Sequence, residues 1–245
     1  MPSSNLNLLA LDTSTDVISL ALCRQGVEGA LWQYSGAGGA QASAQLIPAL
    51  QDLLALSQMD WRDLDAVVFG RGPGAFTGLR TACAVVQGLA LGADLPVLPV
   101  NTLLAVAENA RLQQGSTRVL AVLDARMGEV YAAAFTWSNG QWACVLDTAL
   151  LAPNALLAWA AAGGITAALA SDWTLAGNAW DSYGPEWTIG WGPYPTLPTA
   201  RALLHLAPAP LQAGHAVAAD QALPFYVRDK VAQTTAERAA LKPLN

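Results

Sequence analysis

Short apolar runs separated by polar turns open the chain. Leu6 to Leu11 and Val17 to Cys23 read as two strands joined by the polar turn Asp12 to Asp16, and Gly29 to Tyr34 as a third, an opening β-meander. Gly36, Gly38 and Gly39 lead into a helical pattern from about Gln41 to Leu56, with Leu46, Leu50, Leu53 and Leu54 on one face. Pro48 lies inside that pattern and predicts a kink or a later helix start, because it lacks the amide the helix needs. The run Ala66 to Phe69 reads as a buried strand, followed by a glycine-rich loop, a helix from Thr77 to Leu91 and a strand from Pro96 to Val100. Strand and helix in alternation imply parallel pairing. The order then begins again with a helix from Leu103 to Gln113, a strand from Val119 to Leu123, a turn at Arg126 to Gly128 and a strand from Val130 to Trp137. Asp12-Thr13-Ser14-Thr15 and Asp124-Ala125-Arg126-Met127-Gly128 each follow an apolar strand and precede an alternating one, a weak repeat expected of two related lobes.

Beyond Gly140 the pattern loses regularity. Seven of the nine tryptophans, Trp137, Trp142, Trp159, Trp173, Trp180, Trp187 and Trp191, fall between Ala-rich helix candidates such as Pro153 to Ala162 and Ala200 to Leu206. Gly184-Pro185, Gly192-Pro193 and the prolines at 195, 198, 208 and 210 mark irregular connections. This composition predicts a reduced, irregular second lobe whose tryptophans serve core or interface, and leaves the path of the chain there open.

The loop between the fourth strand and its helix carries the densest local information. Gly70, Gly72, Pro73, Gly74 and Gly78 supply positions that side chains forbid, and place a rigid turn in front of a helix. Such turns often cradle phosphate, because the first helical amides lack internal partners. Here Gly78-Leu79-Arg80 replaces the Gly-Lys-Ser/Thr of a nucleotide P-loop, and the spacing does not match a dinucleotide fingerprint. Arg71 and Arg80 flank the loop and are placed either to hold an anionic group of a partner or simply to cap and solubilise it. The helix that follows is apolar on almost every side from Ala82 to Leu91, with Gln87 its one polar interruption and Ala84, Gly88 and Gly92 spaced by four. Such a helix is expected to be buried all round, either by its own domain or by a second subunit.

Composition sharpens that expectation. Of 245 residues, 53% are hydrophobic and 12% charged, so part of the surface must be apolar, which invites a partner. A net charge of −6 argues against independent nucleic-acid binding, which draws on Lys and Arg at phosphates. The absence of a long uninterrupted apolar run and of a signal-like start predicts a cytoplasmic chain with no membrane contact. Cys23, Cys83 and Cys144 read as reduced core thiols. His205 and His215, ten residues apart, lack the spacing of a helical zinc pair and read as local residues. No Ser or Cys lies in a nucleophile-elbow pattern.

Four stretches together carry a family resemblance: Gly72-Pro73-Gly74-Ala75-Phe76-Thr77-Gly78-Leu79-Arg80, Leu11-Asp12-Thr13-Ser14-Thr15, Leu123 to Tyr131, and Pro224-Phe225-Tyr226-Val227-Arg228. The chain resembles the TsaB (YeaZ) family, the dimerisation subunit of the bacterial complex that installs threonylcarbamoyl on adenosine 37 of certain tRNAs; the likeness is strong from about residue 6 to 135 and weak to about 222. It implies an α/β, actin-like ATPase fold (ASKHA, ribonuclease H-like) in two lobes, residues 1–102 and 103–222, with 223–245 returning to the first lobe. It implies a scaffold rather than an enzyme, paired with a TsaD-like catalytic subunit through Phe76, Thr77, Arg80, Ala84, Gln87, Gly88 and Leu91, with a TsaE-like ATPase in the same complex and tRNA bound only through it. No metal and no cofactor of its own are implied, ATP or ADP belonging to the shared subunit interface. In actin-fold enzymes the phosphates sit between two turns, which here are Asp12, Thr13, Ser14 and Thr15 on one side and Asp124 and Arg126 on the other. Arg126 and Met127 stand where a Gly-rich phosphate turn is needed, so these turns read as vestigial, though Thr13, Ser14 and Thr15 remain able to hold an anion. The sister family carries paired His metal ligands where this chain has Gln41-Ala42-Ser43-Ala44-Gln45. Ala75, Thr81-Ala82 and Ala42 depart from the family's usual Ser, Ile-Gly and His. Two alternatives stay open: an actin-fold small-molecule kinase or ATPase, and a self-associating structural protein, including a homodimer of the isolated chain.

Overall fold

The computed structural model describes residues 5–166, 172–184 and 192–228. Its first sheet begins with the expected meander, β1 (Leu8–Asp12), β2 (Val17–Arg24) and β3 (Ala30–Ala37), paired antiparallel. β4 (Ala66–Gly72) then pairs parallel with β1, and β5 (Val97–Asn101) parallel with β4, giving the order β3-β2-β1-β4-β5. The second sheet repeats the plan. β6 (Arg118–Asp124), β7 (Val130–Ser138) and β8 (Gln141–Leu151) form an antiparallel meander, and β9 (Thr174–Gly177) and β10 (Pro193–Pro195) add in parallel, giving β10-β9-β6-β7-β8. In both sheets the first strand of the meander is central and ends on an aspartate, Asp12 or Asp124. Two lobes of one duplicated topology make the actin-like ATPase fold.

β1 reads Leu-Leu-Ala-Leu-Asp without alternation because both of its faces are covered. On one side lie α1 (Ala42–Ser57) and α2 (Phe76–Ala93), which bury Leu46, Leu50, Leu53, Ala82 and Val86 against Leu9, Leu11 and Phe69. On the other, α6 (Ala200–Leu206) sets Leu203 and Leu204 against Leu8, Ala10 and Val68. The edge strand β3, covered only in part, shows the alternation of a half-exposed strand. α3 (Thr102–Gln114) packs between the lobes: Ala105 joins the core of the first sheet, while Leu103, Val106, Ala107 and Ala110 join that of the second. α4 (Leu156–Ala162) closes the far face of the second sheet through Leu156 and Ala160. Among the described residues the remaining α-helices, α5 (Trp180–Tyr183) and α7 (Pro208–Gln212), are single short turns.

The structure corrects several sequence expectations. α1 starts at Ala42 and carries Pro48 inside it, so of the kink or later start that Pro48 predicts, the later start does not occur. α6, expected in the second lobe, packs on β1, β2 and β4, so part of the 103–222 stretch belongs physically to the first lobe. Cys23 and Cys83 are buried, but Cys144 is exposed on the edge strand β8 and is not a core thiol. α2 is not covered all round; only Gly78, Leu79, Ala82, Cys83, Val86 and Ala90 are buried. By length and composition α2 passes as a membrane span, with mean hydropathy 1.2 over 18 residues, yet it packs one face on β4 and β1 as a layer helix does. Trp187, Trp191 and the chain beyond 228 lie outside the described residues.

Candidate functional site

The turn after β1 and the loop after β4 are built as one unit. Asp12 Oδ1 accepts from the Ser14 amide at 2.9 Å and from Ser14 Oγ at 2.7 Å, the local turn bonding expected of an aspartate at this position. Thr13 Oγ1 donates to the Gly78 carbonyl at 2.7 Å, and the Ala75 amide donates to the Ser14 carbonyl at 2.7 Å. Gly78 is required by this contact: a Cβ there would sit 1.8 Å from the Thr13 carbonyl oxygen. Gly70 faces the other aspartate oxygen, with an added Cβ 1.8 Å from Asp12 Oδ2. That oxygen is buried without a hydrogen-bond partner, and desolvation pushes the Asp12 carboxyl up from 3.8 to about 6 against the opposing bonds from Ser14.

Thr13 and Ser14 are buried and spend their hydroxyl protons on the Gly78 carbonyl and Asp12, although Ser14 also lines the cavity between the turns. Thr15 alone is partly exposed, and its hydroxyl accepts from the Val17 amide at 3.3 Å.

Across the cleft the second turn is closed as well. Arg126, Met127 and Gly128 all have left-handed backbone, with φ of 60°, 56° and 77°. The geometry of a glycine turn is thus kept while two large side chains occupy it. Asp124 Oδ1 accepts from the Arg126 amide and the Tyr183 hydroxyl, both at 2.7 Å; Oδ2 accepts from Ser182 Oγ at 2.8 Å and from the Arg126 guanidinium at 3.2 Å. Burial first, then the bond to Asp124 and its charge, push the Tyr183 phenol up to about 12. Arg126 also reaches over the cleft to Asp16 at 2.5 Å, and Arg228 pairs with Glu129 while donating to Met127 Sδ at 3.3 Å. The cavity left between the turns measures about 250 Å³. A magnesium nucleotide does not fit these residues: Asp12 is sealed behind Ser14, and both Asp124 oxygens are fully engaged. Among the described residues no three His, Cys, Asp or Glu side chains come together to hold a metal.

Of the seven residues expected at a subunit interface, three are occupied within the chain. Phe76 packs on Tyr226 at 5.1 Å, Arg80 lies 3.8 Å over the Phe76 ring with Nε on the Tyr226 hydroxyl at 3.2 Å, and Gln87 donates to the Ala222 carbonyl at 3.0 Å. Residues 222–226 thus strap one flank of α2, anchored by the Phe225 amide on the Arg71 carbonyl at 2.7 Å. Arg71 spends its guanidinium over the Phe225 ring at 5.2 Å and leaves Nε buried without a partner. Thr77, Ala84, Gly88 and Leu91 form an open strip along the helix, with Leu91 80% exposed. On the same side of the sheet α1 exposes Ile47 at 50% and Leu56 at 71%, residues the sequence reading missed because their periodic neighbours fill the core. Asp16, Glu129, Tyr183 and Arg228 were missed as cleft residues too; Glu129 and Arg228 each stand in a stretch that carries the resemblance, but nothing local to either signals a partner about a hundred residues away.

Comparison with known proteins agrees with this geometry. Residues 39–184 match the model of the TsaD family, tRNA N6-adenosine threonylcarbamoyltransferase. The chain is 35% identical over 232 residues to the tRNA threonylcarbamoyladenosine biosynthesis protein TsaB of Escherichia coli, covering 93% of this chain and 96% of that one. It is 42% identical over 127 residues to TsaB of Haemophilus influenzae, 52% of each chain. Among solved structures, YeaZ from Pseudomonas aeruginosa superposes with a TM-score of 0.76 at 37% identity, covering 90% of this chain and 99% of that one. A second Pseudomonas aeruginosa structure, described as an uncharacterized protein with similarity to peptidase YEAZ, gives 0.79 at 38%, covering 91% and 100%. A duplicated actin-like fold whose two phosphate turns are shut, matched over nine-tenths of its length by the Escherichia coli and Pseudomonas aeruginosa proteins, places the chain in the TsaB (YeaZ) family.

Proposed function

We propose that this chain is a non-catalytic subunit of the machinery that makes threonylcarbamoyladenosine at position 37 of tRNA, and that it pairs with a TsaD-like catalytic homologue through the outer faces of α2 and α1. The observation that carries this reading is the open strip of α2. A methyl group added at Gly88 or Gly92 meets nothing within 4 Å, so the fold itself has no use for glycine there. Gly88, in the interior of the helix, nonetheless costs about 1 kcal/mol relative to alanine. A partner backbone that approaches this strip closely accounts for both glycines, and Leu91, Leu56 and Ile47 give it apolar area to cover. The engaged carboxylates and the two bulky residues in the second turn argue against a kinase or ATPase. In the complex, which works in the cytoplasm, a TsaE-like ATPase, tRNA and any ATP or ADP at the shared interface are contributed or held by other subunits. The chain's own charge of −6 gives it no electrostatic hold on tRNA.

Gly88→Glu places a charge in that strip at little cost to the free chain, since the site is open. Co-purification with the TsaD-like subunit is expected to fall at least about tenfold while the circular dichroism spectrum is unchanged; undiminished complex removes α2 from the interface. Calorimetry of the isolated chain with Mg-ATP is expected to show no heat of binding, and tight binding would restore the kinase reading. The same strip is able to close a homodimer of the isolated chain, a second reading favoured by its apolar character. Light scattering of wild type against Gly88→Glu tests it, with a dimer dissociating to monomer as the supporting result.

A further inference from the structure

A second cavity, about 500 Å³, opens on the other side of the first sheet from α1 and α2, where the lobes meet around α3. Its walls come from β5, α6 and α7 of the first lobe, from Leu104 on α3, and from Trp137 and Trp142 on the hairpin joining β7 and β8. Both histidines of the chain, His205 and His215, face it, although their spacing in sequence suggested two unrelated local residues. No Asp, Glu, Lys or Arg is among the residues that line it.

The aromatic wall is held rigid from behind. Glu108, buried in α3, accepts from Trp142 Nε1 at 2.8 Å and from both Arg111 Nε at 2.8 Å and Arg111 Nη2 at 2.7 Å. The Arg111 guanidinium in turn lies 4.2 Å over the Trp137 ring, and the two indoles meet edge to face at 5.4 Å. One neutralised ion pair therefore fixes both rings before anything binds. The imidazoles are different: neither has a hydrogen-bond partner among the described residues. Desolvation lowers His205 from its usual value, so at neutral pH it offers an uncharged ring with one donor and one acceptor.

A pre-formed, mostly apolar space between lobes, with a few unspent polar groups, is the ordinary form of a small-molecule site. Its chemistry restricts the occupant. A phosphate or carboxylate would be desolvated there without a counter-charge, which is strongly unfavourable. Two fixed indole surfaces favour a flat π-system, and the imidazoles supply complementary hydrogen bonds at its edge. We infer that this cavity binds an uncharged small molecule built on a planar heteroaromatic ring, of nucleoside or indole class. Because α2 is on the far face of the sheet, such binding is separate from the subunit contact proposed above.

The test uses the full chain with adenosine and indole-3-acetamide as neutral probes, and AMP and indole-3-acetate as charged counterparts, read by calorimetry and saturation-transfer NMR. At least one neutral probe is expected to bind with Kd of about 1 mM or tighter, and its charged counterpart at least about tenfold more weakly. Which neutral probe binds more tightly distinguishes nucleoside from indole. Ala213→Trp, at the exposed mouth of the cavity, is expected to weaken binding at least about tenfold with the melting temperature of the free chain retained. His205→Ala, which removes one polar partner and keeps the walls, is expected to weaken it about fivefold or more, and carries the test if Ala213→Trp fails to fold. No saturable binding of either neutral probe, equal binding of the charged ones, or unchanged affinity in the variants overturns the proposal.

Discussion

Gly78→Ala is expected to leave little folded protein. The added Cβ would lie 1.8 Å from the Thr13 carbonyl oxygen and 3.0 Å from its carbon, both backbone atoms. Neither side can retreat: Thr13 is fully buried at the end of the central strand, and its hydroxyl is bonded to the Gly78 carbonyl. Moving α2 outward breaks that bond and opens the Leu79, Ala82 and Val86 face of the core. A loss of about 4 kcal/mol or more follows, a large part of a typical domain's stability. Urea titration of the purified chain is the measurement, and a midpoint near that of wild type would show the contact to be softer than drawn. Gly88→Ala is the internal control. There the new methyl meets nothing, so the free chain is expected to gain about 0.5–1 kcal/mol from helix propensity alone. A loss of pairing with the TsaD-like subunit in the same variant would show that Gly88 serves a contact outside this chain.

The contrast between these two glycines also marks how far sequence goes. The order of elements in the first lobe was legible because its strands are short apolar runs, its helices have one clear face, and its turns carry Gly, Pro and Asp. The repeat of Asp12 and Asp124 was enough to anticipate two lobes of one topology. Burial around α2 was not legible: Ala84, Gly88 and Leu91 are as apolar as Ala82 and Val86, and only packing shows which set meets the sheet. α1 carries Pro48 without interruption because an apolar face of Leu46, Leu50, Leu53 and Leu54 holds the helix on the sheet from both sides of the proline. That α6 packs on the first sheet was not legible either, since order in the chain says nothing of which sheet a returning helix covers. The strands β9 and β10 are only four and three residues long, too short to leave a pattern. In the cleft, sequence identified both aspartates and the intruding Arg126, but not that Arg126 spans to Asp16 or that Tyr183 and Ser182 complete Asp124.

Asp12→Asn is expected to stabilise the chain at alkaline pH relative to acid, with a difference on the order of a few kcal/mol. The carboxyl titrates at about 6 in the folded chain and near its ordinary 3.8 when unfolded, because burial disfavours the charge and Oδ2 has no partner to offset it. Between those values the folded state keeps a proton that the unfolded state has released, so this group's contribution falls as pH rises from about 4 to about 6 and is constant above. At roughly 1.4 kcal/mol per decade the full effect is about 3 kcal/mol. Asparagine retains the Oδ1 acceptor for the Ser14 amide and hydroxyl but never ionises, so its own stability lacks this slope. Subtracting the wild-type free energy from that of the variant at each pH cancels every other titrating group. The difference should rise in favour of Asp12→Asn between pH 4 and pH 6 and then level off. A difference that stays flat across that window would mean that Asp12 keeps its charge at little cost, and that its second oxygen is solvated or paired in solution.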